Sequence, residues 1–235
     1  MNKMTASGRP PGRPREFDRA KALECAMHLF WSRGYEATSI SDLTKAMRIK
    51  PPALYGAFGD KRRLFLEAVA RYEQGPGCFA QGALRKEPTA ELAMRRLLLG
   101  ALRSFTDPKN PKGCLVVLGA TNCTIESDDI SEALAERRRM AEGAVRARIA
   151  AGRKAGELAD DADVDALAGL VTATLYGLAL KARDGASRAR LRPIVGQLLA
   201  TWPRRRNAEA GTDRHAAANS APPRSSRRPT RGRAG

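Results

Sequence analysis

Between Thr38 and Lys61 the run TSISDLTKAMRIKPPALYGAFGDK gathers side chains suited to meeting a polyanion. Thr38 and Ser39 stand at a helix start and can offer a hydroxyl or a backbone N–H to a phosphate oxygen, Tyr55 can reach one through its phenol, and Lys61 adds a charge at the start of the following helix. Each residue also has a structural alternative: capping for Thr38 and Ser39, core packing for Tyr55, a solvated charge for Lys61. Base reading is poorer. Pro51 and Pro52 open the helix, and the outward positions Pro52, Ala53, Gly56 and Ala57 carry no side-chain hydrogen bond. That leaves contact with thymine methyls and close backbone approach, with Lys50 as the nearby side chain fit for guanine edges. Recognition of duplex DNA, partly through its shape, is the chemistry this pattern supports.

A second chemistry belongs to the thiols. Cys114 follows Pro111, Lys112 and Gly113 at an expected helix N-terminus, where the helix dipole and nearby lysines would favour the thiolate and reactivity toward oxidants or electrophiles; the alternative is a buried small apolar residue. Cys123 is nine residues on, the opposite face of a helix and about 13 Å along it, too far for an intrahelical disulfide. Cys25 and Cys78 read as inert. With only His28 and His215 and no C-x-x-C or H-x-x-x-H spacing, neither a metal site nor any other cofactor is implied. Phosphate-loop, nucleophile-elbow and acid–base patterns are also missing from the sequence, so an enzyme is not expected.

The elements that would position these groups are helices. Ser39 and Asp42 have the form of a capping box, and Ile40, Leu43 and Met47 recur on one face, giving a helix over 39–47. The tandem prolines suit the first turn of a second helix, where a missing N–H loses no partner. In that helix Leu54 and Phe58 turn inward with Ile49 behind them, and Gly59 ends it. Asp60 then caps a helix over 60–74 with Leu64, Phe65, Ala68, Val69 and Tyr72 along one side. Two such short helices need support, which residues 18–33 supply: Phe17 and Asp18 act as staple and cap, Ala22, Leu23, Ala26, Met27, Phe30 and Trp31 form the apolar face, and Gly34 is the stop.

These residues resemble the TetR family of bacterial transcriptional regulators. The likeness runs through GRPREFD (12–18), AMHLFWSRGYEATSISDLTKAM (26–47), ALYGAFGDK (53–61) and LFLEAV (64–69), about a quarter of the chain. KGCLVVLGATNC (112–123) and YGLALKARDGASRARL (176–191) resemble stretches in some branches of the family. The resemblance implies an all-α protein: a helix-turn-helix head over 16–76, with the motif at 39–58, and a helical effector-binding and dimerisation body over 77–202. It further implies a homodimer on a palindromic operator, most often a repressor, released by a small effector.

Composition agrees. Aromatic residues make up 5% of 235 residues, and abundant Ala and Leu favour helices over a sandwich or barrel. The net charge of +17 lies largely at the ends: residues 1–15 hold Lys3, Arg9, Arg13 and Arg15 with no acid, and 203–235 hold nine arginines against Glu209 and Asp213. The head has ten basic and eight acidic residues, so DNA binding there rests on geometry rather than bulk charge. Both ends read as flexible basic arms, and Arg13 and Arg15 could lie along phosphates or in a narrow minor groove. The rival reading is an architectural or non-specific nucleic-acid-binding protein that uses these ends. The polar N-terminus shows no secretory signal, and Ala166–Leu180 is shorter than the roughly 20 residues of a membrane span, so a cytoplasmic protein without a membrane partner is expected.

In the body, helices are expected near 89–106, 114–125, 129–157, 162–184 and 187–202. Tyr72, Phe79, Met94, Phe105, Met140 and Tyr176 are candidates to line an effector pocket, against ordinary core packing. Ala166, Gly169, Leu170, Ala173, Thr174 and Gly177 form a small-residue face, and Leu191, Ile194, Val195, Leu198 and Leu199 an apolar stripe. The resemblance implies that this pair forms a four-helix bundle with its mate. Two heads related by a twofold axis then read major grooves about 34 to 36 Å apart.

Overall fold

A computed structural model describes residues 18–205. The Phe17 staple, Arg13, Arg15 and the tail from 206 onward lie outside the described residues. The described chain is built from ten α-helices: α1 (Arg19–Arg33), α2 (Ile40–Met47), α3 (Pro51–Phe58), α4 (Lys61–Gln74), α5 (Phe79–Lys86), α6 (Ala90–Phe105), α7 (Leu115–Leu118), α8 (Asp128–Lys154), α9 (Val164–Arg183) and α10 (Arg188–Ala200), with a 3-10 turn at Ile125–Ser127.

The head is set by its caps. The Asp18 side chain accepts from the N–H of Lys21, Ser39 and Asp42 close a reciprocal capping box, and the Asp60 side chain accepts from the N–H of Arg63 at 2.7 Å. Each cap satisfies a donor that the first helical turn leaves without a partner. Gly34 and Gly59, at φ 83° and 81°, turn the chain out of α1 and α3. Beneath these helices the rings pack in two groups, Phe30 with Phe65 and Tyr35, and Trp31 with Tyr72, with Phe30 and Phe65 edge to face at 5.0 Å and Trp31 and Tyr72 at 4.7 Å. Such pairs add roughly 1 kcal/mol to the burial of the rings themselves.

Each group reaches the body through a hydrogen bond. The Trp31 indole donates to the Gly113 carbonyl at 3.3 Å, and the Tyr35 N–H donates to the Gly119 carbonyl at 2.8 Å. Arg62 pairs with Asp129, while the Glu36 carboxylate accepts from the N–H of Thr124 at 3.1 Å. Helix α4 runs out of the head, and α7 packs against α1, α4, α8 and α9.

Two elements differ from the sequence expectation. Helix α5 forms where Gly75, Pro76 and Gly77 suggested only a break. Its Phe79 side packs on α6 over Gly100, where an added Cβ would come 3.1 Å from the Phe79 Cβ, so the missing side chain lets the helices approach. The segment 114–125 is helical only over Leu115–Leu118. Beyond it, backbone groups of Gly119 and Thr124 serve the head instead of continuing a helix.

Helix α9 is long and apolar enough by composition to cross a bilayer. It packs against α6, α8 and α10, with Val164, Ala168, Val171, Leu178, Ala179 and Ala182 buried, and serves as a body helix with one face uncovered.

Candidate nucleic-acid interface

Helix α3 is held from behind. Leu54 and Phe58 are buried and Ile49 is half-buried, so the i, i+4 pair faces the core, while Lys50, Pro51, Pro52, Ala53, Tyr55 and Gly56 stand exposed on the other side. Tyr55 is 48% exposed, which removes the core-packing alternative for it. Lys50 occupies the N-cap position of α3 without a side-chain capping bond and is free to reach outward. Ala57 is half-buried, and its carbonyl accepts from the Arg19 guanidinium at 3.3 Å.

Three expected phosphate contacts are placed otherwise. Thr38 is fully buried, its hydroxyl donating to the Gly34 carbonyl at 2.7 Å and its N–H to the Tyr35 carbonyl. It ties the α1–α2 turn together and has no donor to spare. Ser39 is exposed, but its hydroxyl and its N–H are both committed to Asp42, at 2.7 and 3.0 Å. Those bonds, the hydroxyl first, hold the Asp42 carboxyl below the usual carboxylate value. Lys61 is half-buried with its ammonium 4.1 Å from the centre of the Tyr35 ring. Burial pulls its pKa down, partly offset by the charges of Glu36 and Cys123. It faces the head–body junction rather than the α3 surface.

The turn between α2 and α3 holds a feature the sequence reading passed over. Arg48, exposed, is the one non-glycine residue at positive φ among the described residues, at φ 57° and ψ 45°. Glycine or asparagine is the usual occupant of such a left-handed helix C-terminus, so an arginine there was a legible signal.

Of the two readings of Cys114, a reactive thiol and a buried small apolar residue, the structure favours the buried one. Cys114 is 5% exposed and accepts a hydrogen bond from the Tyr72 hydroxyl at 3.3 Å. Burial pushes its pKa up, and that bond offsets the rise only in part. The four-residue α7 supplies little dipole, and the Lys112 ammonium is turned to the Thr106 carbonyl at 3.0 Å. Cys25 and Cys78 are exposed, so burial does not make them inert.

The candidate effector residues do not gather around a cavity. Tyr72, Met94 and Phe105 are core at 1% exposure or less, Met140 is 66% exposed, and Tyr176 is half-buried beside Glu142 and Arg138. Helical spacing of bulky groups made core, as it ordinarily does. A 470 Å³ cleft lies where α1 and α2 meet Pro111, lined also by Glu24, Cys25, His28, Leu29, Ser32 and Ala46, and a 280 Å³ cleft in the body is bordered by Arg146, Arg153 and Asp161.

The candidate dimer face divides in two. Leu191, Val195 and Leu198 turn into the chain's own core, at 2%, 1% and 8% exposure, and are not available to a partner. Gly169, Ala173 and Gly177 lie on the uncovered side of α9 with Leu170 and Leu180, and Ile194 stands out from α10.

Residues 22–68 match the family model of bacterial regulatory proteins of the tetR family, and 92–202 match a tetracyclin repressor-like C-terminal domain. Over 193 residues the chain is 35% identical to the HTH-type transcriptional repressor ComR of Escherichia coli K12, covering 82% of this chain and 92% of that protein. The HTH-type transcriptional repressor BdcR of the same organism is 31% identical over 123 residues, 52% of this chain and 62% of that protein. Among solved structures, a cysteine mutant of the TetR family regulator CifR, complexed with 26-bp operator DNA, superposes with a TM-score of 0.77. It is 42% identical, covering 82% of this chain and 100% of that one.

Proposed function

The chain belongs to the tetR family of bacterial regulatory proteins, and from that premise we propose that it is a repressor that binds a palindromic operator as a homodimer in the cytoplasm and leaves it when a small effector binds the body. Its output is transcriptional rather than catalytic. The head, residues 16–76, reads DNA through α3, and the body, 77–202, provides the dimer contact and the effector response.

The observation that carries this reading is the uncovered outer side of α3. Leu54 and Phe58 are buried behind it, leaving Lys50, Pro52, Ala53, Tyr55 and Gly56 as a smooth, narrow surface that fits a major groove. The relatives named as repressors and the CifR–operator complex support the same assignment. On this surface Lys50 supplies base-edge hydrogen bonds, Tyr55 a phosphate contact, and the alanine, glycine and proline positions allow close approach.

Selection of genomic fragments with the purified protein, followed by competition with excess random DNA at moderate salt, tests it. The expected result is one palindromic site retained tightly; equal retention of random DNA would assign the chain to non-specific binding instead. Lys50→Ala should narrow the difference between operator variants, and an equal loss on every variant would remove its base-reading role.

A further inference from the structure

The head's cations are not equivalent, and ion pairing sorts them. Arg19 pairs with Glu67, Lys21 with Asp18, Arg33 with Asp42, Arg62 with Asp129 and Arg71 with Glu24, while Lys61 lies over the Tyr35 ring. Among the head's described cations, Lys45, Arg48, Lys50 and Arg63 have no acidic partner; Arg63 stands apart in the first turn of α4, and the other three are exposed within six residues at the turn from α2 into α3. A head that is nearly neutral by count therefore presents one concentrated positive edge.

Within that edge Arg48 stands against the local backbone preference. A left-handed residue costs an arginine more than it costs glycine or asparagine, because the Cβ crowds the following carbonyl. The fold itself has no use for this particular side chain: the position caps α2 through its backbone, with the Arg48 N–H reaching the Lys45 and Thr44 carbonyls, and the guanidinium packs under nothing. An unfavourable backbone state kept for a side chain without a structural partner points to a partner outside the chain.

We propose that Arg48 is a phosphate clamp: its guanidinium binds the DNA sugar-phosphate backbone at the rim of the groove that α3 enters, flanked by Lys45 and Lys50. The inference rests on the operator-binding reading above and assigns Arg48 a task different from that of Lys50. A guanidinium matches two phosphate oxygens with paired N–H groups and carries no sequence information in doing so. It fixes how α3 seats in the groove, which matters for a recognition helix whose own surface is short of hydrogen-bonding side chains.

The test is fluorescence-anisotropy titration of the full chain, over a series of salt concentrations, against the operator duplex from the selection and against a random duplex. Arg48→Asn keeps a residue that tolerates the left-handed backbone and removes the charge. It should weaken both complexes roughly tenfold and lower the salt slope by about one per head, two per dimer, with the ratio of operator to random binding unchanged. Arg48→Lys should recover most of the slope. Its thermal midpoint should show that Arg48→Asn is folded, at or above the value of the parent chain. Unchanged affinity and slope on both duplexes would overturn the proposal, as would a loss confined to particular operator base pairs, which would make Arg48 a base reader. If the parent chain itself showed no operator preference, the operator reading would fall, and the slope on random DNA would still decide for or against the clamp.

Discussion

A thiol's reactivity is governed by its thiolate fraction, and at Cys114 burial outweighs every influence in the other direction. Its raised pKa means that reaction requires alkaline conditions or local opening, and the Tyr72 hydroxyl donating to the sulfur holds the site closed. Alkylation of the native protein at neutral pH, followed by mass mapping, should therefore label Cys25 and Cys78 first and leave Cys114 unmodified until denaturant is added. Rapid native labelling of Cys114 would reverse this and restore it as a direct sensor. Lys61 shows the same principle for a cation. Its ammonium over Tyr35 ties the start of α4 to the turn after α1 within the head, so Lys61→Ala should lower the thermal midpoint by about 2 °C, on a cation–π contribution of roughly 0.5 to 1 kcal/mol. The salt dependence of DNA binding should barely change, and a slope reduced by one per head would return Lys61 to the phosphate backbone.

At the scale of elements, the turn after α1 is the most constrained piece of the head. Gly34 has φ 83°, and a Cβ there would sit 3.2 Å from the Gly119 carbonyl oxygen, which already accepts from the Tyr35 N–H. Gly34→Ala thus strains the backbone and pushes the head from the body together, costing about 1 to 3 kcal/mol and several degrees in thermal midpoint; an unchanged midpoint would show that the junction can yield. Glu36, in the same turn, is held below its ordinary pKa by the Ser127 hydroxyl first and then by the Thr124 N–H. A lowered folded pKa gives stability that is complete above the unfolded value and is lost as pH falls through the folded one. Glu36→Gln should therefore lower the neutral plateau slightly and leave stability at low pH nearly unchanged, so that thermal midpoints measured across pH show a flatter acid limb. These junction effects mark where sequence patterns lose their grip. The caps Asp18, Ser39 and Asp60 and the inward pair Leu54 and Phe58 were legible because each acts within four residues. The tuck of Lys61 over Tyr35 and the early end of α7 depend on chain more than twenty residues away, and no local spacing reports them. Leu191, Val195 and Leu198 were legible as an apolar stripe, but whether a stripe faces its own chain or a second copy is invisible to periodicity.

For the whole molecule, the same ambiguity becomes a testable property, because α9 has one side filled by its own chain and one side uncovered. Its buried side, through Ala168, Val171, Leu178 and Ala182, holds the chain's own core. The other side carries Leu170 at 49% and Leu180 at 50% exposure around Gly169, Ala173 and Gly177, and α10 exposes Ile194. A Cβ added at Gly177 or Gly169 meets nothing within 4 Å, so neither glycine is required by packing inside the chain. Glycine in a helix interior costs about 1 kcal/mol relative to alanine, and a small residue there is what close approach of a helix from a second copy would require. Gly177→Glu should then leave the helical content of the chain intact while converting the dimer to a monomer in light scattering. It should also remove high-affinity operator binding, since a single head retains half the contacts and loses the advantage of a tethered second site. A Gly177→Glu protein that stayed dimeric and held the operator as before would move the interface elsewhere on the body. A fall in helical content would show instead that this face is filled by the chain itself.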